Sequence, residues 1–176
     1  MKGTGHEVCL LLGSNINPEL NLPLAISLLN QQVTLLRASS VWESEAIGSN
    51  GPNFLNMALL VRCSFEAGYL KEEVIRRIEA QLGRERIQDK NAPRTMDIDM
   101  ITFDDQLIEP HLWDVAFRAV PVAQVLPGYF SESGQNLQAI AASMVGAGMV
   151  KLRPDVKVGL TIRQEDMASI RPNHIP

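Results

Sequence analysis

Lys90-Asn-Ala-Pro-Arg-Thr-Met-Asp-Ile-Asp-Met-Ile-Thr-Phe103 decides how this chain is read. Asp97 and Asp99 sit two apart inside an apolar run made of Met96, Ile98, Met100, Ile101 and Phe103. A short run of that kind reads as a buried strand, over 96–103 here. Residues two apart in a strand point to the same face, so both carboxylates leave the sheet together. Two buried acids that face each other repel and resist ionisation unless a cation lies between them. Magnesium suits such a pair, because it binds through one or two carboxylates plus phosphate oxygens. Arg94, just upstream, adds a guanidinium fitted to phosphate or carboxylate. A plainer reading stands beside this one, with the two acids solvated or paired with Arg84 or Arg86.

Outward from that strand, the chain of 176 residues has the length of one domain, predicted over 1–146, with a C-terminal extension over 147–176. A hydrophobic content of 45% and a mean hydropathy near zero fit a chain that can bury a core. No apolar stretch approaches the roughly 20 residues that span a bilayer, so no membrane partner is expected. The first residues carry no signal-peptide apolar region. Cys9 and Cys63 lie in apolar runs and read as small core residues, which makes a reducing cytoplasm the expected compartment. The net charge of −4 argues against nucleic acid. Seven of the sixteen basic residues nevertheless fall between Lys71 and Arg94, which favours a small polyanionic ligand. For Arg76 and Arg77 a solvated helix face, interleaved with acids, explains the charge equally well.

In chain order, Val8 to Leu12 reads as a strand that stops at Gly13-Ser14-Asn15. Asn17 with Pro18 opens a helix by a side-chain cap and an early proline. Val33 to Trp42 reads as a second strand. Glu43 to Pro52 is a long polar loop, and long loops in compact domains are often functional. Phe54 to Val61 is a third strand with Asn56 embedded in it, and a buried Asn needs partners. Ser64 is placed to cap a helix over 65–82 that Gly83 ends. Beyond the Asp strand, short helices are expected over 119–126 and 136–145, and a further strand within 149–162. Strand, helix, strand, strand, helix, strand is the split plan of a ferredoxin-like α+β fold. In that plan an antiparallel sheet carries two helices on one face and leaves the other face free for a site.

Leu12-Gly-Ser-Asn15, the Asn56 strand, Glu79 with Gly83-Arg84-x-Arg86, and Ala92-Pro-Arg-x-x-Asp-Ile-Asp-Met100 resemble the 6-hydroxymethyl-7,8-dihydropterin pyrophosphokinases of folate biosynthesis. The resemblance covers about residues 7 to 145 and implies diphosphate transfer from ATP to the pterin hydroxymethyl group, leaving AMP. It implies two magnesium ions bridged by Asp97 and Asp99. It gives catalytic roles to those aspartates and to Arg84, Arg94 and His111. It places the pterin on Asn56 and on the backbone around Ser44 and Ile47, stacked between Phe54 and Phe117. ATP would meet Arg76, Glu79, Arg84, Arg86 and Ile98. Without the resemblance, Phe54 and Phe117 read as ordinary core.

The chain departs from the family on the triphosphate side. Asn91 and Ala92 stand where a large loop residue is usual, and the segment from Gln106 to Phe117 is shortened. Val115 occupies the place of an expected arginine. Arg118 follows the second phenylalanine and is a candidate to substitute from that next position, although in an alternating strand it would face the other way. Two other readings therefore stay open: a divergent pterin- or nucleotide-binding relative, and a non-enzymatic ferredoxin-like interaction module. The sequence leaves the oligomeric state open.

Overall fold

The computed structural model describes residues 5–48, 50–85, 89 and 91–160. Two strands form its centre. β1 (His6–Ser14) and β4 (Phe54–Cys63) pair antiparallel along their whole length, from His6 opposite Cys63 to Ser14 opposite Leu55. Both are apolar at consecutive positions, the pattern of a strand covered on both faces. β5 (Asp97–Phe103) flanks β1, and β6 (Gln106–Leu107) extends that edge. On the other side of β4 lie β2 (Thr34–Ala38) and β3 (Trp42–Ser44), and β7 (Lys151–Leu152) closes the edge beyond β3.

The second strand expected over Val33 to Trp42 is thus two strands on one edge of β4. The break falls where Ser39 turns its hydroxyl back to the sheet and accepts from the Ala58 N–H at 2.8 Å. The strand expected in the C-terminal extension is the two-residue β7. The chain then crosses the sheet edge: Val150 packs in one core, while Val156, Val158 and Leu160 lean on the other.

One face carries the two helices that the ferredoxin-like plan requires. α1 (Pro18–Asn30) buries Leu22, Ala25, Ile26 and Leu29 against Val8, Leu10 and Leu12 of β1. Asn17 does not cap α1 with its side chain; it takes a left-handed conformation (φ 44°), and its carbonyl accepts from Leu20 and Asn21. The second helix runs through α2 (Ala67–Tyr69), a π-helical stretch over Leu70–Ile75, and α3 (Arg76–Gln81). Its cap residue is Glu66, not Ser64, and no side chain closes it. Gly83 does end it, at φ 78°, and the Arg84 N–H reaches back to the Glu79 carbonyl at 2.9 Å.

The opposite face, expected to be free, is covered over much of its area. α4 (Ala116–Val125) and α5 (Leu137–Gly146) pack there on Cys9, Leu11, Ala58, Leu60 and Ile101. The physical reason lies in β1 and β4, which present apolar side chains on both faces and cannot leave one in water. The end of this face near Gly13, Asn56 and Asp97 forms the floor of a cavity.

A bulge fixes which side chains reach that end. Cys9 pairs with Thr102 but Leu10 pairs with Met100, so Ile101 has no partner on β1. Ahead of the bulge, Ile98 and Met100 point into the α1 core and Asp97 and Asp99 point to the other face. Past it, Phe103 returns to the α1 core.

Candidate active site

Register brings the site together. Asp97 lies opposite Gly13 on β1, Gly13 opposite Asn56 on β4, and Asn56 opposite Trp42 on β3. Asp99 lies opposite Leu11, and Ser44 opposite Phe54. Asp97, Gly13 and Asn56 therefore form one cross-strand row on the same face. A cavity of about 340 Å³ opens above it, walled by Phe54, Ile47 and Arg94, with Val115, Phe117 and Arg118 from the start of α4.

Gly13 is needed for its size. A Cβ there would meet the Asn56 Oδ1 at 3.1 Å and the Phe54 ring at 3.8 Å. The bare backbone keeps a gap between carboxylate and amide. Asn56 is 2% exposed and donates to the Ser44 hydroxyl at 2.9 Å, which fixes its orientation. Phe54 and Phe117 are half-buried and both line the cavity.

Asn15, also buried, ties the loops to this floor. Its side chain donates to the Pro52 carbonyl at 3.1 Å and accepts from the Arg94 N–H at 2.8 Å, and the Arg94 carbonyl accepts from the N–H groups of Asn15 and Ile16. Arg94 is thereby set beside Asp97, with which it forms an ion pair. Arg84, delivered by the closing turn of α3, puts Nη2 3.5 Å from the other oxygen of Asp97. Its Nε is buried without a hydrogen-bond partner. Asp97 thus faces two guanidiniums, whereas Asp99 has no ion pair among the described residues. Burial, and then the neighbouring Asp97 charge, push the Asp99 carboxyl up to about 6, while Arg118 acts in the opposite direction.

Among the described residues no cluster of three or more His, Cys, Asp or Glu is gathered to cage a metal. Two carboxylates on one face, one of them desolvated, suit a magnesium ion that takes its other ligands from phosphate and water.

The structure does not bring every expected site residue to this cavity. Arg76 pairs with Glu72 on the helix surface. Glu79 is 2% exposed and accepts from the Ile98 N–H at 2.9 Å, so it ties α3 to β5, while the Ile98 side chain lies in the α1 core. His111 stands in a 3-10 turn (Pro110–Trp113) with a 69% exposed side chain that pairs with Asp114 at 3.0 Å. Arg86 lies outside the described residues. Gly13 and Asn15 also lie at this cavity floor, and Arg118 lines the wall. The turn motif 12–15 is the sequence signal for the first two; Arg118, a candidate substitute by its position in the sequence, is in a helix, where strand alternation does not apply.

A carboxylate pair fit for a cation, with guanidiniums beside it, is the equipment of a phosphoryl-transfer enzyme. The family described as 7,8-dihydro-6-hydroxymethylpterin-pyrophosphokinase (HPPK) matches residues 9–127. The chain belongs to that family. It is 28% identical over 174 residues to the 2-amino-4-hydroxy-6-hydroxymethyldihydropteridine pyrophosphokinase of Synechocystis, covering 92% of this chain and 88% of that one. It is 34% identical over 113 residues to the Aquifex aeolicus enzyme of the same name, covering 61% and 68%. Its fold is similar to a crystal structure of Plasmodium falciparum HPPK-DHPS with pteroate, at a TM-score of 0.62 and 12% identity, over 81% of this chain and 43% of that one. The chain is a diphosphotransferase that uses ATP, with hydroxymethyldihydropterin as acceptor in folate synthesis.

Proposed function

We propose that Asp97 and Asp99 hold two magnesium ions between them, and that the Asn56 side of the row binds the pterin. The observation that carries this is the Asp97–Gly13–Asn56 row, with its gap kept open by Gly13. The Asn56 amide, held by Ser44, reads the heterocycle edge, and the half-buried rings of Phe54 and Phe117 offer it faces to stack on. Arg84 and Arg94 turn their guanidiniums from Asp97 to phosphate oxygens when nucleotide enters. Bound magnesium would neutralise phosphate charge and offset the repulsion of the two carboxylates. The acceptor hydroxyl oxygen then bonds to the β-phosphorus of ATP and loses its proton to solvent, the bond from that phosphorus to the α,β-bridging oxygen breaks, and AMP leaves. Chemistry of this kind depends on positioning and charge neutralisation more than on covalent help from the protein.

Small molecules are the partners this reading needs. The free, buried thiols of Cys9 and Cys63 fit a cytoplasmic setting. The test is release of AMP from ATP and magnesium, dependent on 6-hydroxymethyl-7,8-dihydropterin. Wild-type protein is expected to release it and Asp97→Ala to release none. Equal release by both proteins would overturn the assignment.

A further inference from the structure

Arg118 stands in the first turn of α4 and lines the cavity on the side of Asp99. Its side chain is 20% exposed, yet its Nε is buried and has no hydrogen-bond partner. A buried guanidinium N–H without an acceptor is costly, so its presence calls for an explanation. The remaining contacts fix the guanidinium without satisfying it. Its carbon lies 4.9 Å from the centre of the Phe117 ring, and Nη2 is 3.8 Å from Glu109 Oε2, too long for a hydrogen bond.

Glu109 is itself anchored. Its other oxygen, Oε1, accepts from the backbone N–H of His111 at 3.0 Å and closes the first turn of the 3-10 segment. The short segment after β6 therefore acts through a carboxylate that steadies Arg118. The histidine side chain takes no part in that contact.

We propose that Arg118 is a catalytic residue that donates to the phosphate oxygens of the bound nucleotide beside Asp99, with Glu109 as its positioning residue. The anion's identity rests on the pyrophosphokinase reading. The choice of phosphate over pterin rests on charge, because the guanidinium is a fixed cation and the heterocycle is neutral.

The experiment compares wild type with R118A, R118M, R118K and E109Q. Four quantities are measured on each: magnesium-dependent binding of α,β-methylene ATP by calorimetry, pterin binding by fluorescence quenching, and kcat and KM for AMP release. R118A is expected to weaken analogue binding and to lower kcat by roughly a hundred- to a thousandfold, with pterin binding kept. R118M, which keeps the side-chain packing, gives the same result and serves if R118A fails to fold. R118K recovers part of the binding, and E109Q raises KM for ATP more than it lowers kcat.

Analogue binding by R118M at wild-type strength overturns the proposal. So does an equal loss of pterin binding, which would make Arg118 a packing partner of Phe117. If wild type binds the analogue but releases no AMP, the pyrophosphokinase reading fails, and the binding arm still decides Arg118. If wild type does not bind the analogue, both fail.

Discussion

At position 13 a single methyl group would change the site without touching any charged group. The Cβ of Gly13→Ala would approach the Asn56 Oδ1 to 3.1 Å, closer than most such contacts, and Asn56 is held on its other side by Ser44. The side chain has little room to yield. Gly13→Ala is expected to weaken pterin binding about tenfold, the size of one lost hydrogen bond, and to leave magnesium-dependent nucleotide binding unchanged. Fluorescence quenching and calorimetry read the two separately, and an unchanged pterin affinity would contradict the account of the gap. His111→Ala is expected to keep kcat within about twofold, because exposed side chains away from such features cost little. Asp97 and Asp99 were legible in the sequence because their spacing and apolar neighbours are local. Gly13 was legible only as a turn, since the reason for its size lies across the sheet, on a strand more than forty residues away.

Elements depart from sequence expectation where tertiary contacts choose the period. Arg118 reads as facing away if residues 115–118 alternate as a strand, but a helix rotates each step by about 100°, which lets Phe117 and Arg118 both line the cavity. The kink between β2 and β3 was illegible for a similar reason, because Ser39 breaks the run by accepting from the Ala58 N–H of β4 while its hydroxyl donates to the Ser40 carbonyl. The C-terminal extension could not be assigned from its weak alternation. In the structure its strand β7 is latched by Arg153, which reaches Glu43 at 2.6 Å, Glu19 at 2.9 Å and Asp155 at 2.7 Å. Glu43 sits on β3 next to Ser44 and also accepts from Asn53 at 2.9 Å. The Asn53 hydrogen bond, and then Arg153, hold the Glu43 carboxyl below its ordinary value of 4.5. Its folded pKa is lowered, so its stabilisation is present above 4.5 and is lost as pH falls through the folded value. Arg153→Ala is expected to cost about 1 kcal/mol near neutral pH, because these groups are partly screened. It is also expected to flatten the acid side of the Tm profile and to raise KM for the pterin more than for ATP. A Tm profile that stays parallel to wild type would show that the latch contributes nothing.

Across the whole molecule, the proposed magnesium site couples stability to the cation. The Asp99 carboxyl titrates near 6 in the fold against an ordinary 3.8. Below 3.8 it is protonated folded or unfolded. Between 3.8 and 6 the folded chain binds more protons, so stability falls as pH rises, and above 6 the loss is complete. A shift of that size corresponds to roughly 2–3 kcal/mol. Without magnesium near neutral pH, Asp99→Asn is therefore expected to raise Tm, and added magnesium to stabilise wild type but not the variant. A rise in Tm with magnesium that survives Asp99→Asn would place the ion elsewhere. The α+β class and the two helices on one face follow from the order of apolar runs. The second helical layer did not, because the demand for it comes from β1 and β4 being buried on both sides. The row itself has a further consequence. Asp97 and Asn56 are two strands apart, so the hydrogen-bonded spacing of the sheet puts their backbones about 10 Å from one another whatever the loops do. The sheet is thus a ruler between the proposed phosphate end of the site and the proposed ring end, graduated in whole strands. A pterin with one extra methylene before its hydroxyl should fit the ring end and overshoot the mark, competing for binding while accepting no diphosphate.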